Sequence, residues 1–324
     1  MSRIFASLCL FCAISLFAPR SASAVAISWS PVGNPGNAPD PTTGYGAVGS
    51  AYKIGKFDVT NSQYVAFLNA KDPTGANALG LYNVNMSAQY GGIDFTAGHL
   101  NGSKYSVISG TGNQPVTWGS WYDAIRFANW LNNGQGTADT ETGAYTLGSL
   151  GAGGVPINGA SITRNADAKV FLPSLDEWYK AAYYNPTNKT YFLYPTGSNT
   201  VPTDSSPTAL PNHANFIPGG PLNPTNVGAY TGTTSPYGAF DMGGNVFQWD
   251  ETLVQDANRE SLGGSWNNFS VVMQSGYRVY FDPRNTSAYI GFRVASVPEP
   301  STGVLVVLAC GLMWWKRKSI SRVA

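Results

Sequence analysis

Cysteine is scarce in this 324-residue chain, and its placement decides which chemistry is excluded. The three cysteines are Cys9, Cys12 and Cys310, so residues 13 to 309 hold no thiol. That interval can form no disulfide, no thiolate nucleophile and no cysteine-ligated metal site. Charge is also sparse: 11% of residues are charged, 19 basic against 18 acidic, for a net +1. A balance so close to zero lacks the basic excess that counterion-releasing contact with nucleic acid requires, and nucleic acid drops out as a partner. Histidine is limited to His99 and His213. What the chain does have is 37 Gly, 21 Pro, 9 Trp, 18 Tyr and 15 Phe. That mixture predicts loops and turns around an aromatic core, without long charged surface helices.

The two ends read as addresses. Met1-Ser2-Arg3 precedes an apolar run from Ile4 to Ala18 and the small-residue site Ala22-Ser23-Ala24. This is the pattern of a signal peptide over residues 1–24, and its run is shorter than the ~20 residues a membrane span needs. At the other end, residues 297–324 hold Val297-Pro298-Glu299-Pro300, an apolar segment 303–315 and the basic group Lys316-Arg317-Lys318. Basic residues after the apolar run place that end in the cytoplasm. The tail resembles the PEP-CTERM sorting signal of Gram-negative bacteria. That resemblance implies an exosortase-type partner, transient anchoring in the inner membrane through the tail, and delivery to the cell surface or extracellular matrix.

Residues 25–296 read as one α+β domain. Gly- and Pro-rich stretches at 32–49, 147–160 and 196–224 are loops within it, because patterned segments lie between and after them. A first helix is expected from a cap at Asn61 through Ala70, with Tyr64, Val65, Phe67 and Leu68 on one face. A second starts at Ser120, three residues before Asp123, and a third at Ser174, three before Glu177, ending ahead of Asn185-Pro186. Strands are expected at Tyr52 to Val59, Ala168 to Leu172, Tyr277 to Phe281 and Tyr289 to Val294.

Six blocks then occur in order: Phe57-Asp58-Val59-Thr60-Asn61, Gln114-Pro115-Val116-Thr117-Trp118, the run from Phe171 to Trp178, the run from Tyr237 to Trp249, Gly263-Gly264-Ser265-Trp266, and Gly291-Phe292-Arg293. Together they resemble the formylglycine-generating-enzyme (sulfatase-modifying-factor) domain over about residues 52–295. The resemblance implies a C-type-lectin-like fold with little regular secondary structure. In the family's enzymes two cysteines after the Gly-Gly-Ser block hold copper. Here the first position is Asn268 and the second falls at Met273 or Gln274. An amide cannot replace one of a thiolate pair, so copper is not expected and no catalytic residue is assigned. A branch of the fold uses histidine-held iron, for which this chain could offer only His99 and His213.

The resemblance also implies calcium, held partly through a Gly-Asn-x-x-Glu segment. The matching residues are Gly244, Asn245, Val246 and Gln248, with an amide where the family has a carboxylate. A second calcium position begins at Asn215. Among the carboxylates, Glu177 is explained as a cap, Asp176 points ~100° away from it on a helix, and Asp250-Glu251 adjoins the cleft segment. Ser265 lacks a nucleophile elbow. What remains is an aromatic and amide-bearing cleft of Trp249, Ser265, Trp266, Asn267, Asn268, Tyr277 and Arg278. Such a surface suits an extracellular glycan or peptide, bound without chemistry by an exported module. The alternative is a metal-dependent oxidoreductase using non-cysteine ligands.

Overall fold

A computed structural model describes residues 24–298. The expected signal peptide and most of the sorting tail, with its apolar segment, lie outside the described residues. Among the described residues no helix is long and apolar enough to cross a membrane.

Three helices form where local capping chemistry starts them. Helix α1 (Asn61–Lys71) is capped by Thr60, one residue ahead of the expected Asn61. The Thr60 hydroxyl accepts from the Gln63 backbone N–H, and the Gln63 side chain accepts from the Thr60 N–H. Asn61 is instead turned inward, donating to the Thr111 carbonyl at 3.0 Å. Helices α2 (Trp121–Asn132) and α3 (Leu175–Tyr183) begin with the expected boxes, Ser120 with Asp123 and Ser174 with Glu177. Each box satisfies two N–H groups that a helix start otherwise leaves bare.

The strands are shorter than their sequence patterns. Strands β1 (Trp29–Val32), β2 (Tyr52–Gly55) and β3 (Val170–Phe171) belong to one sheet. Strands β4 (Phe247–Val254), β5 (Asn258–Leu262), β6 (Val279–Phe281) and β7 (Ile290–Phe292) make a second, and β8 (Ala295–Ser296) returns to the first. The spatial orders are β1-β2-β8-β3 and β6-β5-β4-β7. All neighbours run antiparallel except β4 with β7. The 52–59 pattern breaks at Gly55 because the chain turns there to carry Asp58 under Arg293. Between β7 and β8 only Arg293 and Val294 intervene, so this short segment ties both sheets together.

The six blocks have a physical reason to exist, because four of them meet at one buried side chain. The Arg293 guanidinium donates to Asp58 Oδ1 at 2.8 Å, Gln248 Oε1 at 2.6 Å and the carbonyls of Gly55 and Phe240 at 2.9 Å. Trp178 Nε1 donates to the same Gln248 oxygen at 2.6 Å. Gly291 is required one step earlier, since a Cβ there would sit 2.7 Å from the Val116 carbonyl oxygen. Phe292 packs edge-on against Tyr64 and Phe127. That cluster of α1, α2 and β7 side chains is the main core.

Candidate functional site

Strand β5 ends at Leu262 and the chain reverses through Gly263 and Gly264, whose φ values are +93° and +72°. Glycine is needed at the first: a Cβ on Gly263 would lie 2.7 Å from the Met242 carbonyl oxygen. The turn that follows is closed by its own side chains. Ser265 Oγ donates to Asn268 Oδ1 at 2.6 Å, and the Asn268 N–H donates to the Ser265 carbonyl at 3.1 Å. Its outer flanks are fixed by Trp266 N–H to the Asn245 carbonyl at 2.9 Å and Ile217 N–H to the Asn268 carbonyl at 3.0 Å. Trp266 lies between Tyr90 and Tyr289, with ring centroids 4.6 and 5.2 Å away. Asn267 and Phe269 are exposed beside this trio. Neither Tyr90 nor Tyr289 was expected here; they arrive from distant segments, and the only local hint was Tyr289 immediately ahead of the Ile290-Gly291-Phe292-Arg293 run.

Two positions that the family resemblance assigns to copper have other uses. The Asn268 amide oxygen already accepts from Ser265. Met273 is 1% exposed and packs with Tyr194, Ala214 and Phe216. A Cβ on Gly243 would come 3.2 Å from the Met273 sulfur, which shows how closely that thioether is covered. One pinned amide and one sealed thioether do not fit a copper ion. His99 faces the Ser103 carbonyl on the surface, whereas His213 pairs with Ser205. Among the described residues no group of three or more His, Cys, Asp or Glu is arranged to hold a metal.

Most side-chain oxygens of the expected calcium segment are engaged in hydrogen bonds. Gln248 Oε1 receives N–H groups from both Trp178 and Arg293, so positive hydrogens occupy the place a cation would take. Asn245, at φ +60°, accepts on Oδ1 from Asn215 Nδ2 at 3.2 Å and from the Thr225 N–H at 2.9 Å. Gly244 carries its φ of +75° because a Cβ would strike the Asn215 carbonyl, and Val246 is wholly buried. Asn215 Oδ1 alone has no partner. The segment is a buried polar joint.

The expected cleft divides into three places. Trp249 is 0% exposed, donates to the Gly119 carbonyl at 3.3 Å and meets Phe281 edge-on; it belongs to the core. Ser265, Trp266, Asn267 and Asn268 share the turn just described. Tyr277 is exposed, and Arg278 reaches elsewhere, stacking over Tyr45 at 4.4 Å and pairing with the buried Glu260. Beyond Glu260 lies Asp250, set beside it by the Trp249–Ser261 register of β4 and β5. Burial first, and the charge of Glu260 second, push the Asp250 carboxyl well above its usual range. Asp250 Oδ2 and Glu260 Oε2 are both buried without a donor. A proton retained by the pair supplies the donor that both oxygens lack. Glu251 points the other way, to Arg164 at 2.9 Å and Tyr145 at 2.7 Å. None of these carboxylates faces open solvent as an acid–base pair.

Residues 37–297 match the sulfatase-modifying factor enzyme 1-like domain. The chain belongs to that family. A hercynine oxygenase of Mycobacterium tuberculosis is 27% identical over 143 residues, 38% of this chain and 32% of that protein. The chain therefore spans about a third of the length of the curated relative it matches. Among solved structures, CarF is similar with a TM-score of 0.54 and 20% identity over 85% of this chain and 99% of its own. Treponema denticola variable protein 1 gives 0.52 and 19% over 86% and 98%. These likenesses show the fold, which is formylglycine-generating-enzyme-like and C-type-lectin-like, a single mixed α+β domain.

Proposed function

We propose that this family member is a binding module of the cell surface or extracellular matrix, taking a glycan or peptide, and that it does not oxidise cysteine through copper. One observation carries the reading: the positions assigned to copper are an amide tied to Ser265 and either a thioether enclosed by Gly243 and Tyr194 or the Gln274 amide, which donates to the Tyr194 hydroxyl at 2.8 Å. In their neighbourhood the half-buried Tyr90 and the exposed Tyr289, backed by the buried Trp266, lie beside the exposed Asn267, a surface suited to association. Export and sorting by an exosortase-type enzyme rest on the patterns of residues 1–24 and 297–324. The test is binding of the full chain to glycan and peptide arrays. Saturable, selective binding that Trp266→Ala or Tyr289→Ala reduces at least tenfold supports the reading. Absence of any selective ligand overturns it.

A second reading, a metal-dependent oxidoreductase with non-cysteine ligands, draws on the similarity to a hercynine oxygenase. It predicts stoichiometric redox metal in the purified chain and oxygen consumption that chelation abolishes.

A further inference from the structure

One opening lies away from the Gly-Gly-Ser turn. A cleft of about 610 Å³ lies at the opposite end of the second sheet, where Asn258 begins β5 and Asp282 follows β6. The register Arg259–Phe281 puts those two ends side by side, and the five residues of β5 separate them from Leu262 by about 15 Å at ~3.3 Å per residue. Its other walls are Tyr122 of α2 and the loop through Ile157 and Asn158.

That loop is held from beneath. Arg259, buried, donates to the carbonyls of Gly159 at 3.0 Å, Ile162 at 2.9 Å and Glu251, while its guanidinium stacks over Trp121 at 3.9 Å. Gly159 is pressed so closely on Tyr122 that a Cβ would fall 1.9 Å from the phenol oxygen. The wall is thus pre-organised by a buried charge. A buried guanidinium spent on loop carbonyls fixes a shape that core packing alone leaves loose.

The chemistry of the lining selects a ligand class. Its backbone groups are already engaged: the Ile157 N–H bonds the Ser149 carbonyl, Asn158 O accepts from Ser161, and the Gly159 carbonyl accepts from Arg259. Little remains for a peptide strand to pair with. Side chains supply the free groups. The amides of Asn158 and Asn258 make no side-chain hydrogen bond among the described residues, and Arg284 and Asp282 form a fork at 2.9 Å that leaves the lining without net charge. Ile157, 66% exposed, adds an aliphatic flank. Amides and a neutral carboxylate–guanidinium fork match vicinal hydroxyls, each at once donor and acceptor, and the aliphatic flank matches the C–H face of a sugar ring.

We infer that this cleft is a second binding site, for a neutral oligosaccharide, separate from the aromatic turn. It deepens the binding-module reading by naming a ligand class and goes beyond it by placing that ligand elsewhere. The probe is a panel of neutral gluco-, galacto- and manno-oligosaccharides of three to six units, titrated into the full chain by calorimetry. At least one binds with an affinity that Asn158→Ala and Arg284→Ala each lower fivefold or more, with circular dichroism unchanged, whereas the exposed-ring variant Tyr289→Ala, also unchanged by circular dichroism, leaves it intact. Binding lost in Tyr289→Ala but kept in the cleft variants overturns this site and spares the aromatic-turn reading. Failure of the whole panel, or affinity only for charged peptides, overturns the cleft assignment.

Discussion

Arg293 is wholly buried, and so is its partner Asp58. Taking two charges out of water is costly, and it is offset here only because the guanidinium reaches a carboxylate, an amide and several carbonyls at once. Removing one partner leaves the other uncompensated. Arg293→Met is therefore expected to lower the stability of the chain by about 3–5 kcal/mol in urea unfolding. Arg284→Met, whose pair with Asp282 stands in solvent, leaves the midpoint unchanged. Buried carboxyls set a pH dependence: burial raises Asp58 to about 7 even beside Arg293, and raises Asp241 to about 6. Burial, opposed by hydrogen bonds from Ser120, raises Asp123 to about 6, and Asp250 lies well above the ordinary range. Both hold protons when folded that the unfolded chain releases near pH 4. Stability is thus greatest at the acid side of that window and falls as pH rises through about 6 and above. Asp250→Asn keeps an oxygen for the Thr252 N–H and gives Glu260 a permanent donor. The variant is expected to flatten the Tm-against-pH curve and to raise Tm at pH 8 by about 2–4 °C, which is what ~1 kcal/mol produces in a domain of this size.

Helices were the most legible elements because their start signals are local. Ser174 and Glu177 lie within one turn of each other, and nothing distant decides whether they cap. Ser174→Ala should cost about 1 kcal/mol, read as a lower urea midpoint with unchanged slope. The one shift, from Asn61 to Thr60, arose because Asn61 was drawn inward to the Thr111 carbonyl, a tertiary contact that local pattern does not reveal. Strands were less legible for the same reason. The strand-like segment from Tyr52 to Val59 looks continuous in sequence, yet β2 ends at Gly55, and Asp58 beyond it meets Arg293 from the β7–β8 passage. The site was legible in part. Asn268 and Met273 stand out from the sequence as non-cysteine residues, and the buried Met273 thioether agrees with that exclusion. Exposure was the missing quantity: Trp249 and Trp266 are both buried, and the exposed ring near the turn is Tyr289, packed on Trp266. Counting oxygen-bearing side chains also does not reveal which lone pairs already hold an N–H, as at Gln248.

Across the whole molecule, two small sheets are joined through the short β7–Arg293–β8 passage, and the motif blocks hold that joint together. Arg293, Gln248 and Trp178 form that buried joint, while Asn268 and Met273 after the Gly-Gly-Ser turn serve turn closure and packing. Fold and copper chemistry are separable because they draw on different residues, with no thiol anywhere between residues 13 and 309. The most direct measurement supplies the full chain with Cu(I), oxygen and a cysteine-containing peptide, and follows the peptide by mass spectrometry. The account predicts no peptide aldehyde above that in a control without the chain, with copper and oxygen alone giving at most disulfide. Conversion of that thiol to an aldehyde, in proportion to added chain and abolished by copper chelation, would contradict it.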